Sequence, residues 1–260
     1  MKALGADLLG SNVKSQEFPL LIKLLDAREA LSVQVHPDDE SAKQYGGQPK
    51  TEMWFVLEAD PGAGILAGFS EGVTPERFEE AVKGSEFEKM LVRVPVEKGD
   101  AVYIPGGLVH AIDAGCLLLE VQQNSNTTYR IYDWERVGKD GKPRRLDIKE
   151  ALEVIRWDAG GDAKVAQRQL SKTGINEVWE VLRTPYFRME RFEIGEYAEI
   201  TNDGSSFHVL FIASGGVHVE WDAHTAEILP GTSCLMPAAL SEYTLEPLLA
   251  KAEVLRISVP

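Results

Sequence analysis

Short runs of alternating apolar and polar residues dominate residues 19–125 and return from residue 178 to residue 259. A period of two predicts β-strands, because successive side chains of a strand point to opposite faces. Gly-containing turns separate the runs, which favours a β-sandwich or barrel. The predicted strands of the first series are PLLIKLL, LSVQVH, TEMWFVLEA, ILAGF, LVRVPVE, AVYIP, LVHAI and CLLLEVQQNS. The second series has a similar pattern, which favours an internal duplication.

Helices are predicted at a few places between the strands. Asp38 and Asp39 can cap a short helix that reaches Tyr45 and stops at Gly46 and Gly47. Thr74 and Pro75 have the residue types of a helix start, and an apolar stripe follows at Phe78, Val82, Phe87 and Met90. The segment LDIKEALEVIRW is amphipathic, and residues 4–15 form a short helix or turn.

These patterns predict three regions along the chain. Residues 1–136 form a first β domain that carries the candidate site, residues 137–176 a helical linker, and residues 177–260 a second β domain. A polar loop at 138–145 and a Gly-rich stretch at 160–174 mark the linker. The second domain contains His208, His218 and His224 but lacks a set of metal-ligating residues like the one described below for the first domain, so it is expected to bind no metal.

Composition narrows the class of protein. The chain has 260 residues, of which 44% are hydrophobic and 26% charged, as in an ordinary folded protein. A net charge of −14 would repel nucleic acid and anionic membranes, and a phosphate-bearing substrate would need a local basic pocket. Cys116 and Cys234 lie in apolar runs and are expected to be core thiols. No signal peptide or membrane span is evident, so we expect a cytoplasmic protein.

Candidate metal ligands occur in three of the predicted strands. In LSVQVH, alternation places Gln34 and His36 on one face, Glu52 follows in TEMWF, and His110 follows a Gly-Gly turn. Imidazole and carboxylate ligands suit zinc, and a set of three or four with an open position is typical of a catalytic site. Spacing alone leaves a second interpretation open, namely histidines at strand ends and Glu52 on a solvated face.

Three further charged residues belong to the same group of candidates. Glu120 follows three leucines and would need a partner if it were buried. Lys50 lies two residues before Glu52, and Arg130 lies among aromatic residues. Surface positions remain the alternative for both cations.

Four blocks together resemble the type I phosphomannose isomerases in their short bacterial form: FPLLIKLLDAREALSVQVHPDD, KTEMWFVLEA, IPGGLVHAI and LLLEVQQNSNTTYRIYDWER. They occur in the same order and span residues 18–136. The resemblance implies an all-β fold of two cupin-type jelly-roll barrels. It also implies one zinc ion per chain, bound by Gln34, His36, Glu52 and His110.

The same resemblance implies an activity and further roles. The reaction would be the interconversion of mannose 6-phosphate and fructose 6-phosphate through a cis-enediol. Lys50 and Arg130 match residues associated with the phosphate and the reacting end of the sugar, and Glu120 matches a strand carboxylate. The base that moves the proton stays open among Glu120, Lys50 and a metal-bound hydroxide.

Two departures from the family pattern keep alternatives open. Asn126 stands where many members have Asp, and the sequence as given lacks about fifty residues that usually precede these blocks, including WGG and GExW segments. A shortened N-terminus is expected to leave an unpaired sheet edge and to reduce turnover. The alternatives are a non-catalytic sugar-binding or regulatory cupin and an isomerase of another phosphosugar.

Overall fold

The computed structural model describes residues 5–15, 17–82, 87–138, 141–160 and 163–260. Strands predominate, and packing divides the chain into two compact units. The central unit comprises residues 20–165, and the C-terminal unit comprises residues 166–260 with the segment before residue 20. The three regions with boundaries at residues 136 and 176 stay a prediction. None of the helices in the described ranges is long and apolar enough to cross a membrane.

The described residues of the central unit form two antiparallel sheets. The strands are β1 Leu20–Ala27, β2 Val33–Val35, β3 Glu52–Ala59, β4 Gly64–Phe69, β5 Leu91–Pro95, β6 Ala101–Ile104, β7 His110–Ile112, β8 Cys116–Gln123 and β9 Tyr129–Tyr132. One sheet has the order β1-β8-β3-β6 and the other the order β5-β4-β7-β2-β9. Every strand predicted in the first series is confirmed, although β2 and β7 are shorter than their sequence patterns.

The inner faces of these two sheets enclose one apolar core. Trp54 and Leu118 from the first sheet pack in one cluster with Ile65 and Ile112 from the second. The outer face of the five-stranded sheet carries a separate cluster, which includes Val33, Val35, Val109 and Ile131. Because side chains alternate along a strand, the residues between these outward positions point towards the other sheet. Gln34, His110 and Arg130 occupy such inward positions.

Helices lie on or beside the outer face of the five-stranded sheet. In this part of the chain they are α2 Asp39–Tyr45, α3 Pro75–Ala81 and α4 Ile148–Val154, together with a 3-10 helix at Phe87–Met90. The predicted cap of α2 is confirmed, since Asp38 Oδ1 accepts from the backbone N–H of Ser41 at 2.8 Å. Buried Phe78, Ala151 and Val154 contribute to the outer cluster. The segment LDIKEALEVIRW thus contains a helix, as predicted.

The helix predicted from Thr74 is shorter than its apolar stripe. Thr74 caps α3 and Pro75 begins it, as expected, but α3 ends at Ala81. Residues 83–86 lie outside the described ranges, and a separate 3-10 helix begins at Phe87. The stripe still marks buried positions, because the rings of Phe78 and Phe87 pack edge to face with centroids 5.4 Å apart.

The C-terminal unit has a similar arrangement of two antiparallel sheets in its described residues. Its strands are β10 Arg168–Thr173, β11 Asn176–Arg183, β12 Arg188–Ile194, β13 Ala198–Thr201, β14 His208–Ser214, β15 Val217–Trp221, β16 His224–Ile228, β17 Ser233–Met236, β18 Glu242–Pro247 and β19 Ala252–Ser258. The sheet orders are β10-β11-β12-β19-β14-β17 and β13-β18-β15-β16. Phe192, Leu210, Val219, Leu245 and Val254 belong to the shared core.

Two segments differ from the sequence interpretation. The stretch 160–174, predicted as linker, contains strand β10, which pairs with β11 across a turn at Gly174; residues 161–162 lie outside the described ranges. All six residues of β10 are exposed, so the segment carried no apolar signal. Helix α1 (Gly5–Leu9) packs in the C-terminal unit, where the N–H of Asn12 donates to Ser205 O at 2.9 Å. A side chain at Gly10 would lie 2.4 Å from that same oxygen, which requires glycine there.

Candidate active site

Two histidines and a glutamate meet inside the central unit. Single ligand atoms of His36, Glu52 and His110 all lie within 4.8 Å of one another. His36 follows β2, Glu52 begins β3, and His110 begins β7, so the two sheets both contribute. At most 1% of each side chain is exposed. The structure therefore brings together three of the four predicted ligands in a place closed to bulk water.

Glu52 lies at the centre of this cluster. Its Oε1 lies 3.4 Å from His110 Nε2 and its Oε2 lies 3.5 Å from His36 Nε2. Lys50 Nζ lies 2.8 Å from Oε2 and 3.0 Å from His36 Nε2. Burial by itself raises the pKa of Glu52, but the adjacent His36 imidazole and the Lys50 ammonium outweigh it and hold that pKa well below its usual range. Glu52 is thus an anion at neutral pH.

Both histidines of the cluster are neutral. Burial lowers the pKa of His110 to about 3 and also lowers the pKa of His36. His110 Nδ1 lies 2.8 Å from the carbonyl oxygen of Leu108, which can only accept, so Nδ1 carries the proton. The lone pair of His110 Nε2 consequently faces Glu52 Oε1. Neither of these buried atoms has a hydrogen-bond partner among the described residues.

Two acceptors that face each other without a proton between them fit a cation. An imidazole nitrogen and a carboxylate oxygen are common ligands of zinc and of related divalent metals. The hydrogen bond from Nδ1 of His110 to a backbone carbonyl fixes the ring orientation, as is usual for metal-binding histidines. The donor set and the burial of the cluster therefore fit a metal ion.

Gln34 and Arg130 lie on the strands beside His110. Gln34 pairs with His110 of β7 on one side and with Arg130 of β9 on the other. Both residues are half-buried. Arg130 Nε donates to Ser32 Oγ at 3.3 Å, and Arg130 Nη1 donates to Arg145 O at 3.4 Å. The register thus places Gln34 beside His110 and Arg130 one strand further from it, with the Arg130 guanidinium held by Ser32 and Arg145.

Glu120 lies in the four-stranded sheet, on β8, which is the strand next to the β3 strand of Glu52. Lys23 Nζ contacts Oε1 at 2.7 Å, and Trp54 Nε1 donates to Oε2 at 3.1 Å. Burial raises the pKa of Glu120, and the negative charge of Glu52 raises it further. A buried carboxyl group with a raised pKa can exchange a proton nearer neutral pH than an ordinary glutamate can.

Lys23 and Gln122 are residues that the sequence analysis did not assign to the site. Lys23 Nζ donates to Gln122 Oε1 at 2.6 Å, and Gln122 pairs with Glu52 in the sheet. Gln122 is fully buried, whereas 37% of the Lys23 side chain is exposed. One signal was present in the sequence, since Lys23 is the single charged residue in the apolar run PLLIKLL.

Each predicted site residue thus lies on or beside the inner face of the central unit. Lys50 contacts Glu52 and His36 directly, and Glu120 lies one strand away on β8. The roles assigned to these residues stay predictions. The arrangement defines a class of protein, namely an antiparallel β protein with a buried cluster of metal-ligating residues between two sheets.

Comparisons with known proteins identify the family. The family described as phosphomannose isomerase type I, catalytic domain, matches residues 2–60, and the family described as mannose-6-phosphate isomerase, cupin domain, matches residues 179–256. The probable mannose-6-phosphate isomerase GmuF of Bacillus subtilis is 34% identical over 88% of this chain and 72% of its own length. The mannose-6-phosphate isomerase of Streptococcus mutans is 36% identical over 80% of this chain and 65% of its own length.

Solved structures agree with this relationship. The mannose 6-phosphate isomerase of Bacillus subtilis superposes on this chain with a TM-score of 0.85 at 29% identity. The aligned region covers 95% of this chain and 76% of the Bacillus subtilis chain. A structure described as a putative mannosephosphate isomerase from Archaeoglobus fulgidus has a TM-score of 0.76 at 25% identity, covering 98% of this chain and 77% of its own. This chain belongs to the type I mannose-6-phosphate isomerase (phosphomannose isomerase) family, as the sequence blocks predicted.

Proposed function

We propose that this chain is a zinc-dependent aldose-ketose isomerase that interconverts mannose 6-phosphate and fructose 6-phosphate. The observation that carries the metal site is the pair formed by His110 Nε2 and Glu52 Oε1, two buried acceptors 3.4 Å apart without hydrogen-bond partners in the described part of the chain. Membership of the family supports the choice of substrate. We also infer that each pair of sheets is a cupin-type jelly roll, as the family resemblance implies.

Four residues would hold the metal. His36, Glu52 and His110 provide two nitrogens and a carboxylate, and Gln34 adds an amide oxygen from the inward face of β2. A bound zinc ion would act as a Lewis acid on the oxygens at C1 and C2 of the sugar. Lys50, whose ammonium contacts both His36 and Glu52, helps to keep Glu52 ionised as a ligand.

The chain's own residues would orient the substrate. Arg130 lies next to Gln34 with its guanidinium partly accessible, so it can donate to the phosphate or to the sugar oxygens. Lys23 holds the Glu120 carboxylate and the Gln122 amide at fixed positions on the inner face. Together these cations offset the charge of −14 that would otherwise repel a phosphosugar.

The reaction requires a group that moves one proton between C2 and C1. In the aldose-to-ketose direction a base takes the C2 proton while the C1 carbonyl oxygen gains a proton, which gives the cis-enediol; the base then returns its proton to C1 as the C2 hydroxyl loses its own. Glu120 has the properties of such a base, because it is buried, its pKa is raised, and Lys23 and Trp54 fix its orientation. Lys50 is the second candidate by position.

A coupled assay for fructose 6-phosphate formation tests the proposed function. The zinc-loaded chain should convert mannose 6-phosphate, and Glu120→Gln should lower kcat by at least about 100-fold if Glu120 is the base. Glu58→Gln is the matched control, since Glu58 is an exposed glutamate on β3. Full activity in Glu120→Gln would exclude Glu120 as the base and leave the other two candidates named from the sequence open. A folded, zinc-loaded chain without any conversion would contradict the proposal.

A further inference from the structure

The inner face of the six-stranded sheet changes from apolar to charged along its strands. On β12, Arg188 and Glu190 occupy the inward positions that precede the core residue Phe192. On β19, which pairs with β12, Arg256 follows the core residue Val254 on the same face. The charged end of both strands is therefore the same end of the sheet.

The central unit has a comparable layout. There, Glu52 precedes Trp54 on the inner face of β3, and Glu120 follows Leu118 on β8, so a polar end adjoins an apolar core. That polar end holds the candidate metal cluster. In the C-terminal unit the polar end contains Arg188 and Arg256 on either side of Glu190, so its charged groups differ from those of the metal cluster.

A cavity of about 400 Å³ opens at this charged end. The charged and titratable side chains that line it are Arg183, Arg188, Glu190, Asp203, His208 and Arg256. Most of the other lining residues are polar, including Asn12, Ser205 and Ser206. The volume falls within the range of small-molecule sites, and the lining would reject an apolar ligand.

The carboxylates at this end of the sheet are already bound to protein groups. Glu190, which is 3% exposed, contacts Arg188 Nη2 through Oε1 at 2.8 Å and accepts from Arg256 Nε through Oε2 at 2.8 Å. Asp203 Oδ1 accepts from the N–H of Ser205 at 2.9 Å. Glu190 therefore holds two guanidinium groups in fixed orientations, and Arg183 adds a third cation at the exposed rim.

His208 also lines the cavity, and Tyr243 contacts its ring. His208 Nδ1 lies 3.0 Å from the Tyr243 hydroxyl, and both side chains are buried. Burial lowers the pKa of His208 to about 3, and the neighbouring Arg256 and Arg188 contribute to that lowering. His208 is therefore a neutral hydrogen-bonding group, and the positive charge of the cavity comes from the arginines.

We propose that this cavity binds a small anion that carries a phosphate group. Guanidinium groups match phosphate oxygens in charge and donate to them. Arg256 already donates through both Nε and Nη2 to Glu190, so the exposed guanidinium of Arg183 is the donor most open to a ligand. Three arginines and two carboxylate side chains line the cavity, in a chain whose overall charge of −14 disfavours anions over most of its surface. Two kinds of ligand would supply this phosphate group, namely free phosphate and a phosphosugar.

Calorimetric titration with inorganic phosphate tests this site. The zinc-loaded full chain with Arg130→Ala serves as the background, which removes the cation proposed to bind phosphate in the central unit. In that background Arg183→Gln should weaken phosphate binding at least about fivefold, because one charge-assisted contact is lost. Arg183 is exposed at the rim, so its replacement leaves the buried Arg188–Glu190–Arg256 contacts intact. Arg77→Gln is the matched control, since Arg77 is an exposed arginine on α3 outside the cavity.

The outcomes separate this proposal from the proposed isomerase activity. A binding event that Arg183→Gln weakens and Arg77→Gln leaves unchanged, with shifts of the Ser205 amide signal in NMR spectra, supports the site. No phosphate binding in the Arg130→Ala background, or equal affinity in both arginine variants, overturns it. A parallel titration with mannose 6-phosphate identifies the source: affinity at least tenfold above that of phosphate means that the sugar is recognised, and equal affinity means that phosphate suffices.

Discussion

Replacing His110 by glutamine tests the metal site at its best-defined ligand. Glutamine is neutral, as His110 is, so the change leaves no new buried charge. It removes the Nε2 atom that lies 3.4 Å from Glu52 Oε1 and the Nδ1 hydrogen bond to Leu108. Exchanging the imidazole nitrogen for an amide, a poorer zinc ligand, should weaken zinc affinity at least about tenfold, since even residues that only orient ligands contribute 10- to 100-fold.

The expected magnitude follows from the linkage between binding and folding. Zinc at a free concentration 100-fold above its Kd should stabilise the native wild-type chain by about 2.7 kcal/mol. For a domain of this size, that corresponds to a rise in Tm of roughly 5–10 °C. A tenfold weaker site at the same zinc concentration retains about 1.4 kcal/mol, so the rise in His110→Gln should be about half as large.

Scanning calorimetry with and without zinc measures this increment for each variant, which separates it from any change in the metal-free stability. His208→Gln is the matched control, because His208 is also buried, has a pKa of about 3, and lies in the C-terminal unit. It should show the wild-type increment. The same zinc-induced rise in His110→Gln and in wild type would refute the assignment of His110 as a ligand.

Three further outcomes are expected. Arg130→Lys should lower kcat/KM about tenfold and Arg130→Ala roughly 100-fold, because lysine keeps the charge but not the fork; wild-type kinetics in both would exclude substrate contact. The acidic limb of the pH–rate profile should lie above the usual glutamate range, since burial raises the pKa of Glu120, and it should be absent in Glu120→Gln. The free energy of unfolding of the C-terminal unit should fall by about 1 kcal/mol between pH 7 and pH 5.5, because His208 is protonated near pH 6.5 in the unfolded chain and only near pH 3 in the folded chain. Urea unfolding measures this fall, and the part due to His208 should be absent in His208→Gln.

Local patterns predicted the strands and the side of the sheet on which the candidate ligands lie. Alternation in LSVQVH placed Gln34 and His36 on one face, and the structure keeps that alternation although β2 covers only Val33–Val35. The family blocks then joined His36 to Glu52 and His110, which no local pattern could do. Their proximity depends on strand pairings across long sequence separations, such as that of Gln34 with His110.

The parts that sequence reasoning missed have specific physical causes. The sequence pattern assigned Lys23 to an apolar strand and gave it no role. Its contacts with Glu120 and Gln122 depend on the register of β1 against β8, which a local pattern does not contain. Strand β10 is an exposed edge strand, so hydrogen bonding to β11 and not burial defines it. The arginine cavity was not predicted either, because Arg188 and Arg256 come together only through the pairing of β12 with β19.

The most direct test of the central claim is an NMR experiment with mannose 6-phosphate in D₂O, using chelator-treated chain before and after addition of zinc. The account predicts fructose 6-phosphate with deuterium at C1 after zinc is added, and little conversion before. Absence of product from a folded chain shown to contain zinc, or equal turnover by the zinc-loaded and metal-stripped chain, would contradict it.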